Sequence, residues 1–286
     1  MFACKTRVVV GLTTYYIENL MISLSGLARL GKKTILIIHN DNPDALISKR
    51  DVRHMGFDGE VYIINSAHNV GLLRSRLAII DFVKEHKISA EWFMFVNDDD
   101  ILLNLDLPKV ENKHFAIIQN MAVVRSRLID VLRIMKNPDK LKIDDENIYL
   151  VRPHIGIIGT LIRMEYVFKL GEILKSAMVA ISDIDESLSF RPPVDMMMWS
   201  ALNIVARNDN DIVSPIYMDT VNYVAMDIDN VTMKYGMLIQ LEKNPQEQIM
   251  AAIAKYDVAV RTALMAKNAH TVCEDAAPAG QKSDAN

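Results

Sequence analysis

Asp98, Asp99 and Asp100 follow a run of mostly apolar residues, Trp92 to Val96, with only Asn97 between. Adjacent carboxylates repel one another and resist burial, so something positive is expected beside them. A hard divalent cation suits the position. Mg2+ or Mn2+ takes oxygen ligands, usually one or two carboxylates together with substrate phosphates. An Asp-x-Asp at a strand end supplies such ligands. Asp98, Asp99 and Asp100 are all candidates, with the register inside Asn97–Asp100 left open. A carboxylate not used by the metal can accept from a substrate hydroxyl. The alternative is a solvated acidic turn that caps the following segment.

Those carboxylates must be held by elements, and the preceding chain supplies them in alternation. "RVVVGL" (7–12), "KTILIIHN" (33–40), "EVYIIN" (60–65) and "EWFMFV" (91–96) read as buried strands. "IENLMISLSGLARLG" and "GLLRSRLAIIDFVKEH" lie between them with apolar residues at helical spacing, the first closed by Gly31. Strands alternating with helices predict an α/β fold, a mostly parallel sheet covered on both faces. Ligands bind at the carboxyl ends of strands in such sheets. The aspartates therefore share an edge with Thr13–Thr14 and His39–Asp41.

The second half is less regular. "HFAIIQNMAVV" and "NIYLVRP" predict strands, and "EYVFKLGEILKS" and "PVDMMMWSALNIVARN" predict helices. Asn244, Pro245 and Glu247 open a further helix of about 25 residues, followed by a small, polar tail after His270. The formal charge of −4 over 286 residues excludes a global positive field for nucleic acid or membrane. One local basic segment, residues 123–142 with Arg125 and Arg127, is a solvated face or a phosphate strip. Two cysteines without metal or disulfide spacing fit a reducing, cytoplasmic setting. No apolar run approaches the length of a membrane span, and the N-terminus reads as a first strand instead of a signal peptide.

"NSAHNVGLLRSRLAIIDFVKE" followed by "WFMFVNDDD" resembles the "N-x-G-x-x-x-A-R-N … F-L-D-x-D-D" run of family 2-like glycosyltransferases of the GT-A fold. "VVVGLTTYYIENLMISLSGL" is similar to that family's first strand and helix. "IIHNDNPD" stands where the family has "V-V-D-D-G-S-x-D", and "ISDIDESLSFRPPVDMMMWSAL" resembles its "F-D-E-x-L … E-D-x-D-L-x-x-R-L". The chain departs from the pattern at Asn97, where many relatives carry an aspartate, and at Val194, which precedes Asp195 in place of glutamate.

The resemblance implies a GT-A-like α/β fold with an irregular acceptor-side region and a C-terminal helix. Residues 1–105 would form the nucleotide-sugar half. Residues 106–235 would form the acceptor and catalytic half of the same domain, 236–270 a helical segment and 271–286 a disordered tail. Thr13, Thr14, Tyr15, Asp41 and Asn69 would bind the nucleotide sugar with Asp98. Arg74 and Arg76 stand two apart, so they cannot share a helix face, and one of them, Arg76 by the family pattern, would meet the diphosphate. Asp195 would be the catalytic base, or simply a helix cap. His270 would complete the metal shell. The implied activity is inverting, Mn2+- or Mg2+-dependent transfer from a nucleotide sugar, a UDP-sugar first, to a glycan hydroxyl. Hydroxymethylated pyrimidines of phage DNA are the alternative acceptor. A non-catalytic nucleotide-sugar or nucleic-acid binding module is the third reading.

Overall fold

The computed structural model describes residues 7–105, 107–108, 110, 113–124, 148–151, 156–187, 194–208, 214–226 and 245–275. The basic segment with Arg125 and Arg127 lies outside them from residue 125 onward.

The N-terminal half alternates as expected. Strands β1 (Val8–Thr14), β2 (Thr34–Asn40), β3 (Glu60–Asn65) and β4 (Trp92–Asn97) are separated by helices α1 (Leu20–Leu30), α2 (Lys49–His54) and α3 (Leu72–Glu85). The strands run parallel in the order β3-β2-β1-β4. Every residue of β1 and β2 is buried, as two covered faces require. The chain first steps outward from β1 to β3, then returns across β2 and β1 to β4. Right-handed crossovers place α1 and α2 on one face and α3 on the other, and α3 packs on β1 and β2. The point where strand order reverses lies between β1 and β4, and an α/β sheet opens a crevice there.

Beyond β4 the sheet is mixed. Strands β5 (Ile101–Leu102), β6 (His114–Val124), β7 (Ile148–Val151), β8 (Leu161–Arg163) and β9 (Ser214–Met226) complete a nine-stranded sheet in the order β3-β2-β1-β4-β8-β6-β9-β5, with β7 on β6. Strands β8, β6 and β9 thus lie between β4 and β5 in the sheet. Yet only Asp98–Asp100 separate β4 from β5 along the chain. A segment of that length reaches about 10 Å, so this half of the sheet must curl back until β9 stands beside the end of β4. The aspartates occupy the seam of that curl.

Helices α4 (Met164–Ser176), α5 (Met178–Ser187) and α6 (Val194–Arg207) follow, and α7 (Pro245–Asp275) packs against all of them. One apolar core runs from Val8 in β1 to Val260 in α7. Helix α7 continues five residues past His270, where composition predicts a tail; once a helix is nucleated, each added residue gains a hydrogen bond. Residues 276–286 and the side chain of His270 lie outside the described residues. Among the described residues no helix is long and apolar enough to cross a membrane.

Candidate functional site

The carboxyl ends of β1 and β4 build one wall of a cleft of about 540 Å³. In register, Thr13 stands beside His39 of β2 and Asn97 of β4, and Thr14 beside Asn40. Thr14 Oγ1 donates to Asp98 Oδ2 at 2.7 Å. Burial, and then the Asp99 charge, push the Asp98 carboxyl up to about 7 against the donors Thr14 and Asn19. Burial raises Asp99 as well. Among the described residues no side chain donates to the Asp99 carboxylate.

Asp100 points the other way. Its carboxylate is 4% exposed. Oδ2 accepts from the Tyr223 hydroxyl at 2.5 Å and from Asn97 Nδ2 at 3.0 Å, and Oδ1 accepts from the Met226 amide at 3.0 Å. Burial and Asp99 still push it up to about 7.

Asp41 closes the wall of the cleft beside the end of β2. Its two oxygens accept from the amides of Val70 and Gly71 at 2.8 and 2.9 Å, which fixes the loop that starts α3. Tyr15 lines the cleft and sits edge-on to Tyr16 at 5.0 Å between ring centroids. Asn69 is exposed outside the cleft, with Oδ1 turned back to the Gly71 amide at 3.0 Å.

The two arginines part as their spacing predicts. Arg74 is exposed and faces a separate groove with His39, Asp81 and Lys175. Arg76 is 1% exposed beneath the cleft. Its Nη1 lies 2.5 Å from Asp195 Oδ1, its Nη2 reaches Asn97 Oδ1 at 3.4 Å, and its guanidinium lies 5.4 Å from the Phe95 ring centroid. The Arg76–Asp195 contact is an ion pair by distance only; Asp195 Oδ1 has no donor at hydrogen-bonding angle. Asp195, in the first turn of α6, presents a 37% exposed side chain to the cleft.

Thr13, Thr14, Tyr15, Asp41, Asp98, Asp99, Asp100 and Asp195 therefore share one cleft, while Asn69, Arg74 and Arg76 lie off its lining. Ser75, Tyr223 and Met226 belong to the site or its floor and carry no sequence signal of their own, and Asn97, marked in the sequence only as a departure from the family pattern, joins them. No lysine or arginine is among the described lining residues. No group of three or more His, Cys, Asp or Glu among the described residues forms a ready-made metal cage. The donor set fits a cation of the Mg2+ or Mn2+ kind nonetheless. Such ions need only one or two carboxylates when phosphate and water complete the shell, and Asp98 and Asp99 offer oxygens that burial and repulsion leave poorly compensated. The Ser75 hydroxyl, buried at the cleft without a partner, is a further unmet polar atom.

No protein-family model matches the chain, and no curated protein matches it. Among solved structures it is similar to the mannosyltransferase PcManGT of Pyrobaculum calidifontis in complex with GDP-Man and Mn2+, at 11% identity and a TM-score of 0.42, over 93% of this chain and 76% of that one. It is also similar to GalNAc-T7 with UDP, GalNAc and Mn2+, at 10% identity and a TM-score of 0.48, over 78% of this chain and 44% of that one. The apo glycosyltransferase GlyE of Streptococcus pneumoniae TIGR4 is similar at 13% identity and a TM-score of 0.33, over 74% of this chain and 45% of that one.

Proposed function

We propose that the chain is a metal-dependent, GT-A-like glycosyltransferase that uses a nucleotide sugar, a UDP-sugar first among them. The reading is carried by one observation: a cleft at the strand-order reversal is lined by carboxylates and, among the described lining residues, by no basic side chain. The described lining of such a cleft repels a diphosphate. A divalent cation on Asp98 and Asp99 would offset the diphosphate charge and stabilise it as a leaving group.

The chain's own residues supply the rest. Thr13, Thr14, Tyr15 and Asp41 line the nucleoside end. Asp195, across the cleft, takes the proton from the acceptor hydroxyl. The acceptor oxygen forms its bond to the anomeric carbon as the bond to the diphosphate oxygen breaks, with inversion. Arg76 serves Asp195 in this scheme, since its guanidinium is buried against that carboxylate and Asn97 and not free for the diphosphate. A glycan hydroxyl is the proposed acceptor; the basic segment that would favour DNA lies outside the described residues.

Calorimetric titration of UDP and GDP with and without Mn2+, together with nucleotide release from a panel of UDP- and GDP-sugars, tests the reading. The expected result is nucleotide binding that vanishes in EDTA and release that vanishes in Asp195→Asn. Nucleotide binding of equal strength in EDTA would sink it.

A further inference from the structure

Beneath the aspartate turn lies a closed ring of hydrogen bonds. The Asn97 amide donates to the Tyr223 hydroxyl at 3.3 Å, that hydroxyl donates to Asp100 Oδ2 at 2.5 Å, and Asn97 Nδ2 donates to the same oxygen at 3.0 Å. The Met226 amide holds the other oxygen at 3.0 Å. Asn97 Oδ1 continues outward to Arg76, and Arg76 to Asp195. The ring joins β4 to β9 across the seam of the curled sheet. The Tyr223 ring is seated in turn by Gly159, where a Cβ would come within 2.8 Å of Tyr223 Cγ and where φ is +69°.

We propose that Tyr223 is a positioning residue for the cation turn, and that Asp100 belongs to this bracket and is not a cation ligand. Both oxygens of Asp100 are engaged by Tyr223, Asn97 and the Met226 amide in a residue 4% exposed, which leaves them less open to a cation than the Asp99 carboxylate, to which no described side chain donates. Asp98, Asp99 and Asp100 line the cleft together, and of the three it is Asp100 whose carboxylate turns to β9, so that it anchors the turn that presents the other two. The same bracket, through Asn97 and Arg76, sets Asp195 on the facing wall. The two halves of the site are thereby tied to one strand, β9. The kinetic side of this assignment rests on the transferase reading; the metal side does not.

The test uses the full chain with Mn2+ alone as probe, followed by loss of the free-ion paramagnetic resonance signal, and nucleotide release as the kinetic readout. Tyr223→Phe keeps the ring seated on Gly159 and removes only the hydroxyl. Asp99→Asn is expected to abolish Mn2+ binding. Tyr223→Phe and Asp100→Asn are expected to weaken it by no more than about 10-fold, the lower end of what groups behind a metal ligand contribute. Both should lower kcat by roughly 10- to 100-fold with KM for the nucleotide sugar unchanged, as a misplaced reacting geometry does. The double variant should be no worse than the poorer single one, because the two side chains act as a unit. Loss of Mn2+ in Asp100→Asn as complete as in Asp99→Asn overturns the assignment, as does wild-type kcat in Tyr223→Phe. Should Asp100→Asn fail to fold, Tyr223→Phe decides. Should the wild type turn over no nucleotide sugar, the transferase reading falls while the Mn2+ titrations still settle the place of Asp100.

Discussion

A carboxyl group raised by burial is a proton held by the folded state. Asp98 and Asp100 are both pushed up to about 7, first by burial and then by Asp99, from an ordinary value of 3.8. At these two carboxyls the folded protein therefore binds more protons than the unfolded chain between roughly pH 4 and pH 7, and the stability they contribute falls as pH rises across that window, opposed in part by His39, which burial holds below its ordinary value. Below the ordinary carboxylate value the contribution is complete. The melting temperature of the metal-free protein is expected to drop from about pH 5 to about pH 8, and Mn2+ binding, which would displace the proton of Asp98, to tighten over the same range. Asp99→Asn removes the repelling charge. At about pH 8 in EDTA it should melt higher than wild type, by roughly 2–4 °C per kcal/mol gained in a chain of this size, and it should lose the rise that Mn2+ gives. Differential scanning fluorimetry with and without Mn2+ reads both effects, and a flat pH profile would contradict them. The aspartates were legible in the sequence because three charges after an apolar run violate the pattern of a buried strand. Their individual directions were not, because the hydroxyl that turns Asp100 inward comes from Tyr223, 123 residues away. The choice between Arg74 and Arg76 was partly legible, since two residues on a helix already separate the faces; that Arg76 meets Asp195 and not the cleft was not.

Elements position the turn through close backbone contact as much as through side chains. Helix α1 lies against β5 at Gly26, where a Cβ would come within 2.7 Å of the Leu102 carbonyl oxygen and 3.0 Å of Ile101 Cγ2. Alanine is the better helix former by about 1 kcal/mol. Overpacking typically costs about 1–3 kcal/mol, and here the obstacle is a backbone oxygen that cannot rotate aside. Gly26→Ala is therefore expected to lower the urea midpoint in spite of its propensity gain. Because β5 follows Asp100 directly, it should also weaken Mn2+ binding. An unchanged midpoint would mean that α1 slides freely on β5. The N-terminal strands and helices α1 and α3 were legible from alternation, for their apolar residues keep one period at a time; the six-residue α2, with one buried residue, was too short to show a period. Strand β9 was not. Pro215 and the exposed positions along its first half obscure the strand pattern, and its pairing with β6 shifts register beside Asn120. Long-range pairing sustains it where local preference does not, which is why the bracket residues went unseen.

At the scale of the molecule the site has two supports, a sheet that holds the aspartate turn and a helical layer that holds Asp195. The second depends on α7. Ala252, Ile253, Tyr256 and Val260 are buried along one side of that helix, which packs on α4, α5 and on α6, the carrier of Asp195. An ion-pair cluster adds to the same junction: Glu172 of α4 meets Lys84 of α3 at 2.7 Å and also Lys267 of α7, and these contacts hold its carboxyl down near 2. The cluster is solvent-screened, with Glu172 41% exposed, so Glu172→Gln should cost less than about 1 kcal/mol and still less in high salt. Tyr256→Ala removes a fully buried ring and should cost about 3–5 kcal/mol. The functional consequence separates the supports. Loosening α7 lets α6 shift while β1 and β4 stay in register. Tyr256→Ala is therefore expected to retain Mn2+ binding at temperatures below its lowered melting point, yet to lose nucleotide release with Asp195 displaced. Guanidinium denaturation, Mn2+ titration and turnover on the same preparation measure the three quantities. Parallel loss of Mn2+ and turnover in the folded variant would mean that the two supports are one.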